Sequence, residues 1–160
     1  MQKIAVISMG KLKDLFFKDA ENEYLKRISG FANLTVIELP QKSISQHPSE
    51  SEINSALKDE AELIISKIPK GAYVVSLCIE GKGVTSEELA GLISENANYG
   101  SGNMVFIIGS SYGLSDDVKK ISNYKLSMSK MTFPHRMARI MLLEQIYRSY
   151  KIISGEEYHK

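Results

Sequence analysis

The sequence has one cysteine in 160 residues. Cys78 cannot close an internal disulfide, so a cross-linked scaffold is excluded. It lies within an apolar run and is expected to be a buried core thiol. No apolar run approaches the roughly 20 residues that cross a bilayer, so no membrane partner is expected. The N-terminal stretch, with Lys11 and Lys13 soon after, lacks a signal-peptide cleavage pattern. These absences point to the cytoplasm. The loop after the first apolar run, Ser8-Met9-Gly10-Lys11, lacks G-x-G-x-x-G, and there is no P-loop. His47, His135 and His159 are far apart and no metal-ligand spacing links them, so no metal is expected. Neither an internal repeat nor a linker interrupts the chain.

What is present is globular composition, 43% hydrophobic and 24% charged. The length suits a single domain spanning residues 1–160. The formal net charge is +1, but it is unevenly spread. Residues 118–160 hold nine Lys/Arg against three Asp/Glu, a net of +6, which leaves −5 for residues 1–117. A basic C-terminal quarter suits a polyanionic partner, and equally a solvated surface with none.

Short apolar runs alternate with helical periodicity. Strands are expected at Ile4–Ser8, Leu34–Leu39, Ala72–Ile79, Met104–Ile108 and Lys125–Ser129. Helices are expected from Asp14 to Ile28, and from a capping box at Ser49/Glu52 to a stop at Pro69. A second capping box, Thr85/Glu88, opens a helix to about Tyr99. Ser115 caps a short helix, and Pro134 starts a long one that ends near Ile153. This alternation predicts an α/β fold: a parallel sheet with helices on both faces.

Ligands of such sheets bind beyond the carboxyl ends of strands. Three successive predicted strands end in unusual segments, Leu77–Lys82, Ile107–Leu114 and Ser127–His135. Glycines there let backbone approach a ligand, and small or apolar side chains suit a nucleoside read by amides and carbonyls.

These three segments resemble the cofactor loops of the SPOUT, or α/β-knot, methyltransferases. Met9-Gly10-Lys11-Leu12-Lys13, Leu126–His135, Glu144-Gln145, Tyr147-Arg148 and Tyr158-His159-Lys160 resemble the small family that methylates N3 of a pseudouridine in 23S ribosomal RNA. Ser110 departs from that family, which typically has a second glycine there. The resemblance implies a C-terminal deep trefoil knot. It also implies a homodimer with shared sites, S-adenosylmethionine as cofactor, and 23S rRNA within the ribosome as substrate. It assigns cofactor binding to Leu77, Gly109, Met128, Ser129, Lys130, Met131, Thr132 and Phe133. Catalytic roles fall to Tyr158, His159, Arg139 and Lys160.

Pseudouridine N3 carries an imide proton and is a poor nucleophile until that proton leaves. A site for it needs close placement, a proton route and cations for charge developing on the flanking carbonyls. Arg136, Arg139, Arg148 and Lys160 are candidates for the last role. His159 is a candidate proton acceptor or RNA contact, and solvent is another acceptor. Glu144 could serve as base or simply orient an arginine. Two further readings remain open at this point: a SPOUT enzyme acting on transfer RNA or a ribose hydroxyl, and a non-catalytic ribosome-binding module.

Overall fold

A computed structural model of the chain describes residues 1–158. Strands and helices alternate along it: β1 (Gln2–Met9), α1 (Leu15–Ile28), β2 (Ala32–Leu39), α2 (Glu50–Lys67), β3 (Tyr73–Gly83), α3 (Ser86–Tyr99), β4 (Asn103–Ile108), α4 (Asp116–Ile121), β5 (Tyr124–Ser127) and α5 (His135–Ile153). The strands form one sheet in the order β2-β1-β4-β3-β5, and every pairing is parallel.

The helix placement follows from crossover handedness. The steps β1→β2 and β3→β4 move one way along the sheet, and β2→β3 and β4→β5 move the other. Right-handed crossovers then put α1 and α3 on one face and α2 and α4 on the opposite face. The cores agree. Ile4 and Val6 of β1 pack with Ile28 of α1, Leu89 and Ile93 of α3, and Leu142, Leu143 and Ile146 of α5. Their neighbours Ala5, Ile7 and Met9 pack with Ala61 and Ile64 of α2 and Val118 of α4. A strand buried on both faces is apolar at successive positions, which explains the unbroken run in β4.

α5 covers the first face, packed against both α1 and α3. Its lower end is fastened where β1 begins. The Tyr150 hydroxyl donates to Gln2 Oε1 at 2.5 Å, and Gln2 Nε2 donates to Ile93 O at 3.1 Å and Asn96 Oδ1 at 3.0 Å.

Several local expectations change. β3 continues past Ile79 to Gly83 because it re-pairs after a bulge: both Leu77 and Lys82 stand opposite Leu126. A Cβ at Gly81 would meet the Leu126 carbonyl carbon at 2.7 Å, so only glycine fits where the bulge rejoins β5. Cys78 is only half-buried, because the bulge carries it away from the core. β5 starts at Tyr124 and ends at Ser127, earlier than the apolar pattern implied. Pro134 occupies the cap position ahead of α5 and not its first turn. Thr85 and Glu88 form a full capping box, but Ser49 and Glu52 form half of one. There the Glu52 carboxylate accepts from Ser45 Oγ instead.

Candidate functional site

Because the sheet is wholly parallel, every strand's carboxyl end lies along one edge. β4, β3 and β5 are adjacent in the sheet, so the three segments singled out in the sequence meet at that edge. The chain leaves β4 toward the face of α2 and α4, but leaves β3 and β5 toward the face of α3 and α5. Such a divergence opens a crevice between neighbouring strand ends.

Leu77 closes the first part of β3 and packs on the core beneath α5, as does Met128. Beyond it, Glu80 pairs with Lys119 of α4, which holds its carboxyl below the usual range. The β4 loop turns tightly. The Gly113 amide donates to Ser110 O at 2.9 Å, and Gly113 takes a φ of 85°. A Cβ at Gly109 would stand 2.3 Å from Gly113 O. Glycine at 109 is therefore required by the loop's own turn, before any ligand is considered.

In the β5 loop, Ser127 Oγ donates to Ser129 O at 3.1 Å and the Met131 amide donates to Ser129 Oγ at 3.0 Å. Lys130, Met131 and Thr132 are exposed, while Ser129 and Phe133 are half-buried. A segment held by side chain–backbone bonds, and not by a strand ladder, keeps amides and carbonyls for a ligand. His135 opens α5 beside it. Burial first, then Arg136 and Arg139, push its pKa down, so it is neutral near neutrality.

Arg139 is committed elsewhere within its own subunit. Its side chain is 2% exposed. Nε and Nη2 donate to the two oxygens of Glu21 at 2.5 and 2.8 Å, and Nη1 donates to Glu38 at 2.9 Å. The same Glu38 oxygen accepts the Leu12 amide at 3.2 Å. Arg139 thus holds the β1–α1 loop, where Leu12 is buried between exposed Lys11 and Lys13.

Tyr158 lies on the flank of α5. The helix ends at Ile153, Gly155 (φ 68°) follows its cap Ser154, and the Glu156 amide donates back to Lys151 O at 3.0 Å, which reverses the chain. Tyr158 then packs edge-on against Tyr147, with ring centroids 4.9 Å apart, beneath the Arg148 guanidinium at 4.7 Å. Its hydroxyl donates to Glu144 at 3.2 Å, and burial and that carboxylate push its pKa up. Glu144 also accepts from Arg148 Nη2 at 2.6 Å and from Gln145 at 2.9 Å. It orients an arginine here. Glu144 is nine residues into α5, about 13 Å along the helix from the loop edge at 1.5 Å per residue. One subunit therefore brings the three loops together and keeps Tyr158 away from them. His159 and Lys160 lie outside the described residues.

The sequence reading missed Glu21, Glu38 and Glu60. Glu60 of α2 is 4% exposed and accepts from Ser110 Oγ at 3.0 Å and the Lys42 amide at 3.1 Å. It shares a helix stripe with Ala61 and Ile64, and a carboxylate on an apolar stripe is a legible signal. Among the described residues, no His/Cys/Asp/Glu group could hold a metal. No helix among them is long and apolar enough to cross a membrane.

The family profile described as "Predicted SPOUT methyltransferase" matches residues 2–159. A protein of Bacillus pumilus named ribosomal RNA large subunit methyltransferase H is 46% identical, over 98% of this chain and 99% of its own length. One of the same name from Carboxydothermus hydrogenoformans is 44% identical, over 99% of both. Among solved structures, a probable methylase family protein from Haemophilus influenzae superposes with a TM-score of 0.51 at 13% identity. The match covers 99% of this chain and 70% of that one, and is a likeness of fold.

Proposed function

This chain belongs to the SPOUT methyltransferase family, and from that premise we propose that it methylates N3 of a pseudouridine in 23S ribosomal RNA, using S-adenosylmethionine. It is a ribosomal RNA methyltransferase, a cytoplasmic enzyme that works as one domain on rRNA within the ribosome. The observation that carries the reading is the convergence of the β3, β4 and β5 loops at one sheet edge. Their residues fit the cofactor: small and apolar side chains for adenine, and backbone groups for polar atoms. When bound, the cofactor supplies an electrophilic methyl group.

The chain's residues do the rest. Leu77, Gly109 and the segment Met128–Phe133 hold and orient the cofactor. His135, its pKa pushed down by burial and by Arg136 and Arg139, would add no positive charge to a site that holds a cationic cofactor. We assign the acceptor side to the C-terminal tail. Tyr158, protonated at neutral pH, offers a stacking surface. Within the tail His159 takes the imide proton and Lys160 stabilises the developing carbonyl charge. Arg139 serves indirectly, by fixing the loop that carries Lys11 and Lys13.

Since Tyr158 packs against Glu144, Tyr147 and Arg148, well along α5 from its own loops, the tail serves the loops of a second copy, and the working form is a homodimer. Exposed apolar residues support this. Leu15 and Phe16 on α1, Met137 on α5 and Met131 in the β5 loop are between 40 and 71% exposed, on elements that meet near the loop edge. The family's knot is part of the same proposal.

Calorimetry tests the cofactor assignment. The protein should bind S-adenosylmethionine, and a folded Gly109→Val variant should not. Near-normal affinity in that variant would remove the site from this edge.

A further inference from the structure

We propose that Glu60 is a positioning residue for the cofactor loop, acting through the Ser110 hydroxyl. The inference rests on the reading that the β4 loop holds S-adenosylmethionine.

Glu60 projects from α2 into the sheet face opposite α5, where its helix neighbours Ala61 and Ile64 are core residues. An apolar side chain would suit that stripe. A buried carboxyl group costs stability unless its oxygens are satisfied, and here each oxygen ties down a different loop. Oε1 accepts from Ser110 Oγ at 3.0 Å, and Oε2 accepts from the Lys42 amide at 3.1 Å. Ser110 is itself 8% exposed. Its carbonyl accepts the Gly113 amide, so one residue anchors both the turn and the clamp. The turn has no slack, given the 2.3 Å from a Cβ at Gly109 to Gly113 O. Displacing Ser110 therefore displaces the backbone that contacts the cofactor. A glycine at 110 lacks the hydroxyl, so this clamp is a property of the serine.

Three readouts test the proposal: cofactor binding by calorimetry, amide hydrogen exchange across 109–114 in the free protein, and kcat on ribosomes at saturating cofactor. Ser110→Ala and Ser110→Gly should each weaken cofactor binding about tenfold, the equivalent of about 1.4 kcal/mol. They should speed exchange in 109–114 and leave the amides of α3 and α5 unchanged. At saturating cofactor, kcat should stay within about twofold, because only binding is loosened. Glu60→Gln keeps one acceptor and the same size, so it should retain more affinity than Glu60→Ala. A folded Ser110→Ala protein with unchanged affinity and exchange would overturn the proposal. So would lowered thermal stability in Glu60→Ala with cofactor affinity intact, which marks a merely structural carboxyl. If the unaltered protein binds no S-adenosylmethionine, the functional reading falls and takes this inference with it. If it binds and the variants are indifferent, this inference alone falls.

Discussion

Arg139 shows how a single side chain changes meaning between sequence and structure. As a cation in a basic segment it reads as a candidate for charge stabilisation. In the fold its fork is filled by Glu21 and Glu38. The clue lay in spacing: Arg139 precedes the buried Leu142 and Leu143 by three and four residues, which puts it on the buried stripe of α5. Removing one partner of a buried ion cluster leaves the others uncompensated. Arg139→Met should therefore lower stability by about 3 kcal/mol, read from denaturant midpoints. A change below about 1 kcal/mol would show that the cluster is not held as described. His135 sets a pH dependence of definite sign. Its folded pKa lies below the ordinary 6.5, so the unfolded chain binds more protons in that window. Its contribution is fully present above pH 6.5 and is lost as pH falls through the lower folded value. His135→Phe should flatten the loss of stability on mild acidification, measured by urea unfolding at several pH values.

Among the elements, those that rest on local chemistry were legible and those that rest on distant partners were not. The Thr85–Glu88 box, the Ser115 cap and the apolar runs of β1 and β4 are short-range patterns that the structure repeats. The extension of β3 depends on where β5 lies, 40 residues or more along the chain, and no local window contains that. The three loops were legible as segments, and their meeting followed from the parallel sheet. The tail's reversal was not, because it depends on Gly155 and the Glu156–Lys151 bond beyond the helix stop. Tyr158 packs on the flank of α5, against Tyr147 and Arg148, and not among its buried residues. Deleting Tyr158-His159-Lys160 should leave the melting temperature within a few degrees and cofactor affinity near normal, with methyl transfer sharply reduced. Full single-turnover activity on ribosomes in that deletion would separate the tail from catalysis.

At the scale of the molecule, one sheet edge holds the loops and the flank of α5 holds Tyr158, and the proposed shared site joins them through a second copy. Sedimentation at micromolar concentration should show a dimer with a largely apolar interface. A stable monomer across that range would break the shared-site account. Complementation is sharper: heterodimers of the tail deletion and a Gly109→Val subunit should regain part of the activity, since one site then joins intact loops to an intact tail. The most direct measurement of the central claim is transfer of labelled methyl from S-adenosylmethionine to ribosomes from a strain lacking the enzyme, with the modified base mapped. The account predicts label on N3 of a pseudouridine in 23S rRNA. Label on transfer RNA or a ribose hydroxyl, or none at all from a protein that binds ribosomes, would contradict it.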